Sequence, residues 1–277
     1  MKKYFVFPFL FSALALAGCE DVVDVTLDEG SSQLAVDGLV TDQPGPYEVV
    51  LSKTAAYFNN VPTPRVSGAT VTISDNEGNV ERLTEVAPGR YVTRTLQGKI
   101  GNHYVLDIQA EGEQYRAETD IKRVPDIDSL DQVFKEESAF DDEGYYVRYY
   151  GPETPGRGDY YRFKIYRNDT LLNKPSDLLV RSDEFVEGNY IGGIEMHEDP
   201  FKVEDKIRVE NCAITSDYYF FLNELYIQTN NGGMFANPPA NLRTNIVNVN
   251  PASTRKAVGY FGGMGIRTKE IVIRDGK

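Results

Sequence analysis

The sequence predicts a mainly β chain, with an antiparallel sandwich first and then a second β-rich domain that carries one amphipathic helix. Three observations predict it. Between Gln33 and Thr119 apolar residues recur at every second position, the period of half-buried strands. Turn formers separate these runs, among them Pro44-Gly45-Pro46, Asp75-Asn76-Glu77-Gly78 and Pro88-Gly89. Near residue 216 the period changes to that of a helix.

The chain opens on Lys2-Lys3 and an apolar run from Tyr4 to Leu16, then Leu16-Ala17-Gly18-Cys19. That run is shorter than the roughly 20 residues a bilayer span needs, so residues 1–18 read as a secretory signal peptide. The stretch resembles the lipobox of bacterial lipoproteins. The resemblance implies cleavage before Cys19, a diacylglycerol on its sulfur and an acyl chain on its new amino group, which together anchor a protein far more firmly than one chain does. Residues 19–32 are acidic, Glu20-Asp21-Val22-Val23-Asp24, and end on small Gly30-Ser31-Ser32, the composition of a tether. The acidic run resembles the signal that sends some Gram-negative lipoproteins to the cell's outer face, and solvated linker explains it equally well. The expected address is the outer membrane at the cell surface, with the periplasmic face as the alternative.

The sandwich domain is expected over 33–124. Leu34 and Val36, then Tyr47, Val49 and Leu51, then Ala69, Val71 and Ile73 alternate with polar residues. Tyr104, Leu106 and Ile108 follow, Glu111-Gly112-Glu113 turns the chain, and Tyr115, Ala117 and Thr119 alternate again. About seven short strands at such spacing suit two packed antiparallel sheets of immunoglobulin type. The order of Gly68-Ala69-Thr70-Val71-Thr72-Ile73, Gly89-Arg90-Tyr91 and Tyr104-Val105-Leu106 is similar to the small sandwich of carboxypeptidase-regulatory and transthyretin-like domains.

A boundary is expected at Val124-Pro125, and the second domain over 125–277. Tyr160 to Tyr166 places Tyr161, Phe163 and Ile165 on a core face and Tyr160, Arg162, Lys164 and Tyr166 on a wet one, and Asn168-Asp169 then turns the chain. Lys206 to Val209 reads as a short strand. Thr215-Ser216-Asp217 offers an N-cap, and Tyr218, Phe221, Leu222, Leu225 and Tyr226 share one helical face until Asn230-Asn231-Gly232-Gly233. The spacing predicts a helix over 216–229 whose stripe packs on a sheet. Lys269 to Ile273 closes the chain as a strand.

Charge narrows the partners. There are 42 acidic residues against 29 basic ones, a net charge of −13, and loss of Lys2 and Lys3 on cleavage makes it two units more negative. Nucleic acid and anionic headgroups are repelled, so neither is an expected partner. With only Cys19 and Cys212 present, lipidation of Cys19 leaves Cys212 without a disulfide partner.

The last segment orders Phe235-Ala236-Asn237-Pro238-Pro239-Ala240-Asn241, Thr244-Asn245-Ile246 and Val258-Gly259-Tyr260-Phe261 before its final strand. Taken with Leu34-Ala35-Val36-Asp37-Gly38, Gly68-Ala69-Thr70-Val71 and Val124-Pro125-Asp126-Ile127-Asp128-Ser129-Leu130, this order resembles the domain-of-unknown-function 4249 family of outer-membrane lipoproteins. The resemblance implies a β-rich two-part lipoprotein, often encoded beside a TonB-dependent receptor, with no established activity and no defined catalytic residues to carry over.

The sequence carries no recognised catalytic pattern, and the expectation is no enzyme, no cofactor and no metal. His103 lies opposite Tyr104 and Leu106, and neither it nor His197 sits in a nucleophile motif such as G-x-S-x-G; no H-E-x-x-H or phosphate-binding glycine pattern occurs. Glu195, His197 and Asp199 could converge on a metal only if the chain turns there, and a solvated acidic loop explains them better. Asp75 to Gly78 reads as a hairpin turn. Tyrosines beside arginines suit recognition of a sugar, a peptide or a protein surface, or else stabilise an exposed sheet face through cross-strand pairs. The partner-contact candidates are Tyr160, Arg162, Tyr166 and Phe235. Asp128-Ser129-Leu130 and Asp169-Thr170-Leu171 resemble O-glycosylation sequons of some Gram-negative periplasms, which makes Ser129 and Thr170 candidates in expected loops. The function expected is a tethered binding or accessory component of a TonB-dependent nutrient receptor that captures an unidentified external ligand. The alternatives are an envelope adhesion or assembly protein and an unrecognised hydrolase.

Overall fold

Alternating apolar positions build the first set of strands. The computed structural model of the chain describes residues 32–55, 63–231 and 240–276. Its first strands are β1 (Leu34–Thr41), β2 (Glu48–Lys53), β3 (Thr70–Asp75), β4 (Val80–Arg82), β5 (Thr84–Ala87), β6 (Arg90–Val92), β7 (His103–Ala110) and β8 (Glu113–Asp120). Every second side chain of β1, β2, β3, β7 and β8 is buried, including Val36, Leu51, Ile73, Leu106 and Tyr115. The mainly β expectation and the sandwich arrangement hold.

The second set is β9 (Ser129–Lys135), β10 (Gly144–Pro152), β11 (Tyr160–Arg167), β12 (Thr170–Leu171), β13 (Leu179–Ser182), β14 (Tyr190–Glu195) and β15 (Lys206–Ile214). Helix α1 (Ser216–Thr229) follows, then β16 (Val247–Asn248) and β17 (Ala257–Val272). The helix starts where its cap predicts, with the Thr215 hydroxyl accepting the Tyr218 N–H at 3.3 Å. It has no neighbour helix of its kind among the described residues, and none there is long and apolar enough to cross a membrane.

A large sheet runs β12-β11-β15-β17-β1-β2-β6-β5, with β13 also on β11. Two smaller sheets, β16-β8-β7-β3-β4 and β14-β10-β9, accompany it. Side-chain parity shows how they stack. Leu34, Val36 and Phe261 on one face of the large sheet enter a core with β3, β7 and β8. Further along the same face Phe163, Val209 and Ile273 enter a second core with Tyr145, Val147 and Tyr149 of β10. The opposite face, at Cys212, Tyr260 and Met264, receives Tyr218 and Leu222 of α1. The helix therefore covers a sheet, as its stripe predicts, although Tyr226 is exposed.

The expected boundary at 124/125 neither divides the cores cleanly, since Val124 lies in the second core and Ile246, Ala257 and Phe261 in the first, nor interrupts the large sheet. Strand β17 pairs parallel with β1 and antiparallel with β15, so the last strand joins both parts. Residues Ser32–Lys277 form one compact unit. The connector after β8 crosses directly over β17 where the latter has Gly263 and Gly265. A Cβ at either glycine would come within 2.3 Å of the Asp120 or Lys122 carbonyl oxygen, so any side chain there would push the two segments apart.

Strand β15 continues five residues beyond the expected Lys206–Val209, and β17 begins well before Lys269. Both missed stretches are buried on two faces, so they lack the alternation that marks a half-wet strand. Ser129 and Thr170 are exposed but begin β9 and β12, which corrects their expected placement in loops.

Candidate functional site

The residues that could act chemically gather where β11 begins and β13 ends. Tyr160 and Ser182 pair across these strands, and the chain then enters a tight turn at Asp183. The Asp183 carbonyl accepts the N–H groups of Val186 and Glu187, both at 2.9 Å. Its carboxylate Oδ2 accepts the Gly158 N–H at 2.7 Å and the Asp159 N–H at 3.0 Å, which ties this turn to the preceding loop.

Two more carboxylates complete the cluster. Glu153 accepts the Tyr161 hydroxyl at 3.0 Å on one oxygen and the Gly188 N–H at 2.5 Å on the other. Asp159 accepts from Arg123 at 3.0 Å, and Arg123 also donates to the Pro155 carbonyl at 2.7 Å. Glu153 and Asp183 are only 3% and 4% exposed. One oxygen from each of Glu153, Asp159 and Asp183 lies within 4.8 Å of the others. These are hard ligands of the type calcium takes, half or fewer of the about six to eight it requires. Burial, together with the nearby Asp159 and Glu153 charges, pushes the Tyr161 hydroxyl far above its ordinary range, so it stays a donor.

Beside this cluster lies an open cavity of about 290 Å³. Arg157, Asp183 and Glu184 line its polar side, and Tyr160, Tyr219 and Phe220 its aromatic side. The Tyr160 ring lies 4.9 Å from Tyr219 and 6.3 Å from Phe220 between centroids. Outside the lining, the Arg243 guanidinium lies 4.8 Å from the Phe220 ring and pairs with Glu224 at 2.7 Å. Aromatic surface beside carboxylates and a guanidinium suits a ligand with one apolar face and several hydrogen-bonding groups.

A second cavity, about 180 Å³, surrounds His197. The imidazole meets the Asp177 carboxylate through Nε2 at 3.1 Å and the Asp199 N–H through Nδ1 at 3.0 Å. Glu195, His197 and Asp199 all line this cavity, but the Glu195 carboxylate pairs with Lys135 at 2.9 Å and the Asp199 carboxylate with Lys174 at 3.2 Å, and the three do not form a metal-ligand group among the described residues. His103 is half-exposed and meets Asp120 at 2.8 Å.

A family model described as a domain of unknown function (DUF4249) matches residues 20–270. The chain belongs to that family. No curated protein matches it. Membership in the DUF4249 family therefore brings no residue roles, and the site rests on its own geometry.

Of the residues expected to contact a partner, Tyr160 lines the aromatic cavity. The wet face proposed for Tyr160, Arg162 and Tyr166 is corrected, because α1 lies over part of it and all three are half-buried. Arg162 bears on Asp37 and on the Tyr218 hydroxyl. Tyr166 lies under the Arg208 guanidinium at 3.9 Å and donates to Glu210 at 3.3 Å, further from the cavity-lining residues along β11. Phe235 and Cys19 lie outside the described residues. Glu153, Asp159 and Asp183 carry no motif in the sequence because they are spread over 30 positions and are brought together by the ends of β10, β11 and β13 and by hydrogen bonds between the adjoining loops.

Proposed function

We propose that the chain is an outer-membrane lipoprotein, anchored through Cys19, that serves as a binding or accessory component of a TonB-dependent nutrient receptor. The observation that carries the reading is the aromatic and carboxylate-lined cavity at Tyr160, Tyr219, Phe220 and Asp183, which has the chemistry of a recognition surface. The sequence around Cys19 supplies the support for attachment.

The lipidated chain, solubilised from outer membrane in detergent, should copurify with a TonB-dependent receptor identifiable by mass spectrometry. Recovery of adhesins or assembly factors alone would transfer the reading to the envelope-interaction alternative. In a parallel experiment Cys19→Ser should move the protein to the soluble fraction without changing its melting temperature. Continued sedimentation of Cys19→Ser with membranes would show that another surface attaches it.

A further inference from the structure

The loop between β9 and β10, Glu136-Glu137-Ser138-Ala139-Phe140-Asp141-Asp142-Glu143, carries Phe140 at 96% exposure. No other large apolar side chain among the described residues is as exposed. The loop is nonetheless built to one shape. The Ser138 N–H donates to the Asp141 carbonyl at 2.9 Å, and the Ser138 hydroxyl accepts the N–H groups of Phe140 at 3.1 Å and Asp141 at 2.9 Å. Lys135 clamps the base, donating to Asp141 at 2.6 Å and sitting 4.4 Å above the Tyr146 ring. The Tyr146 hydroxyl donates to the Asp142 carbonyl at 2.8 Å.

The Phe140 side chain takes part in none of these contacts. A fixed loop that leaves an aromatic ring in water forgoes the hydrophobic gain of burying it. The ring is therefore available to a partner, and the fixed loop lowers the ordering cost of binding. Exposed Glu136, Glu137 and Asp142 surround it with negative charge. That charge disfavours an anionic lipid surface and favours a protein pocket with an apolar floor and a Lys/Arg rim.

We infer that Phe140 is the ring through which the chain seats on its receptor, entering an apolar pocket rimmed by basic side chains. The inference rests on the receptor reading above and adds a second surface to it, separate from the aromatic cavity. The test is retention of the copurifying receptor by immobilised full-length, lipidated chain in detergent. Phe140→Ala should weaken retention roughly thirtyfold, Phe140→Leu should restore much of it, and the pair Glu136→Lys and Glu137→Lys should weaken it further at low salt than at high salt. Because the ring is solvent-exposed, each variant should melt like the parent.

A photoreactive p-benzoylphenylalanine at position 140 should crosslink to the receptor, whereas one at exposed Val80 should not. Equal retention of the receptor by Phe140→Ala and the parent would overturn the inference and leave the receptor reading standing. Crosslinking from position 140 to lipid alone would overturn it in favour of a membrane contact. Failure of the parent to retain any TonB-dependent receptor would overturn the reading and this inference together.

Discussion

The two parts of the molecule share a sheet and differ in what they show to water. In the first part, outward positions of the small sheet pair by charge, as in Arg116 with Asp107 at 2.8 Å, and so do its connecting turns, as in Lys99 with Glu77 at 2.5 Å. Among the described residues its exposed large apolar side chains are Val80, Val86 and Ile100, all aliphatic. Among the described residues the second part exposes the rings of Phe140, Phe185, Tyr190, Phe220 and Tyr226, beside aliphatic side chains such as Ile194, Val203 and Ile227. Both parts fill their cores, so packing does not explain the difference. A sandwich needs only a polar outside to stay soluble, and under the proposed binding role the exposed rings of the second part are the surface that meets a partner.

The largest expected effect tests whether the parts are one cooperative body. Phe261 on β17 is fully buried in the first core, while β17 also pairs with β15 of the second part. Phe261→Ala should cost about 3–5 kcal/mol in denaturant unfolding and shift both parts in a single transition. Two separated transitions would show that the shared strand does not couple them. Tyr161→Phe should come next, at about 1–3 kcal/mol, because it takes a donor from buried Glu153.

Acid sharpens the comparison. Burial opposes the charged form of Asp205, yet the Lys202 N–H, Asn168 and Arg167 outweigh it and hold the carboxyl below its ordinary range. Asp120 of the first part is also lowered: burial opposes its charge, and His103 and Lys122 overcome it, but its side chain is far more exposed. A depressed carboxylate stabilises the fold above its unfolded value and loses that contribution as pH falls through the folded one. Asp205→Asn should therefore lower the denaturation midpoint at neutral pH and converge on the parent below both values. Asp120→Asn should do the same with smaller amplitude. At the small end, the Glu48 and Arg90 pair is solvent-exposed, and Glu48→Gln should change stability by no more than about 1 kcal/mol.

Legibility follows burial. Strands wet on one side, such as β1, β3 and β7, announce themselves by alternation, and α1 by its cap and stripe. The central strands β15 and β17 do not, since Cys212-Ala213-Ile214 and the glycine-rich start of β17 are covered on both faces. Tyr160, expected as a contact residue from its type and strand face, lines the cavity, and its neighbours there, Tyr219 and Phe220, come from a helix some 60 positions later. The alternation that marked Arg162 and Tyr166 as outward was right about their face of the sheet. What it could not contain was the α1 roof over part of that face and the Arg208 guanidinium over Tyr166.

Hydrogen–deuterium exchange on the copurified complex, compared with the free chain, tests most directly the claim that the second part carries the partner surface. The account predicts slowed exchange in peptides covering 136–143, 157–160, 182–188 and the start of α1, with strands β3, β4 and β7 unchanged. Protection confined to the first part, with those four segments exchanging as they do in the free chain, would contradict it.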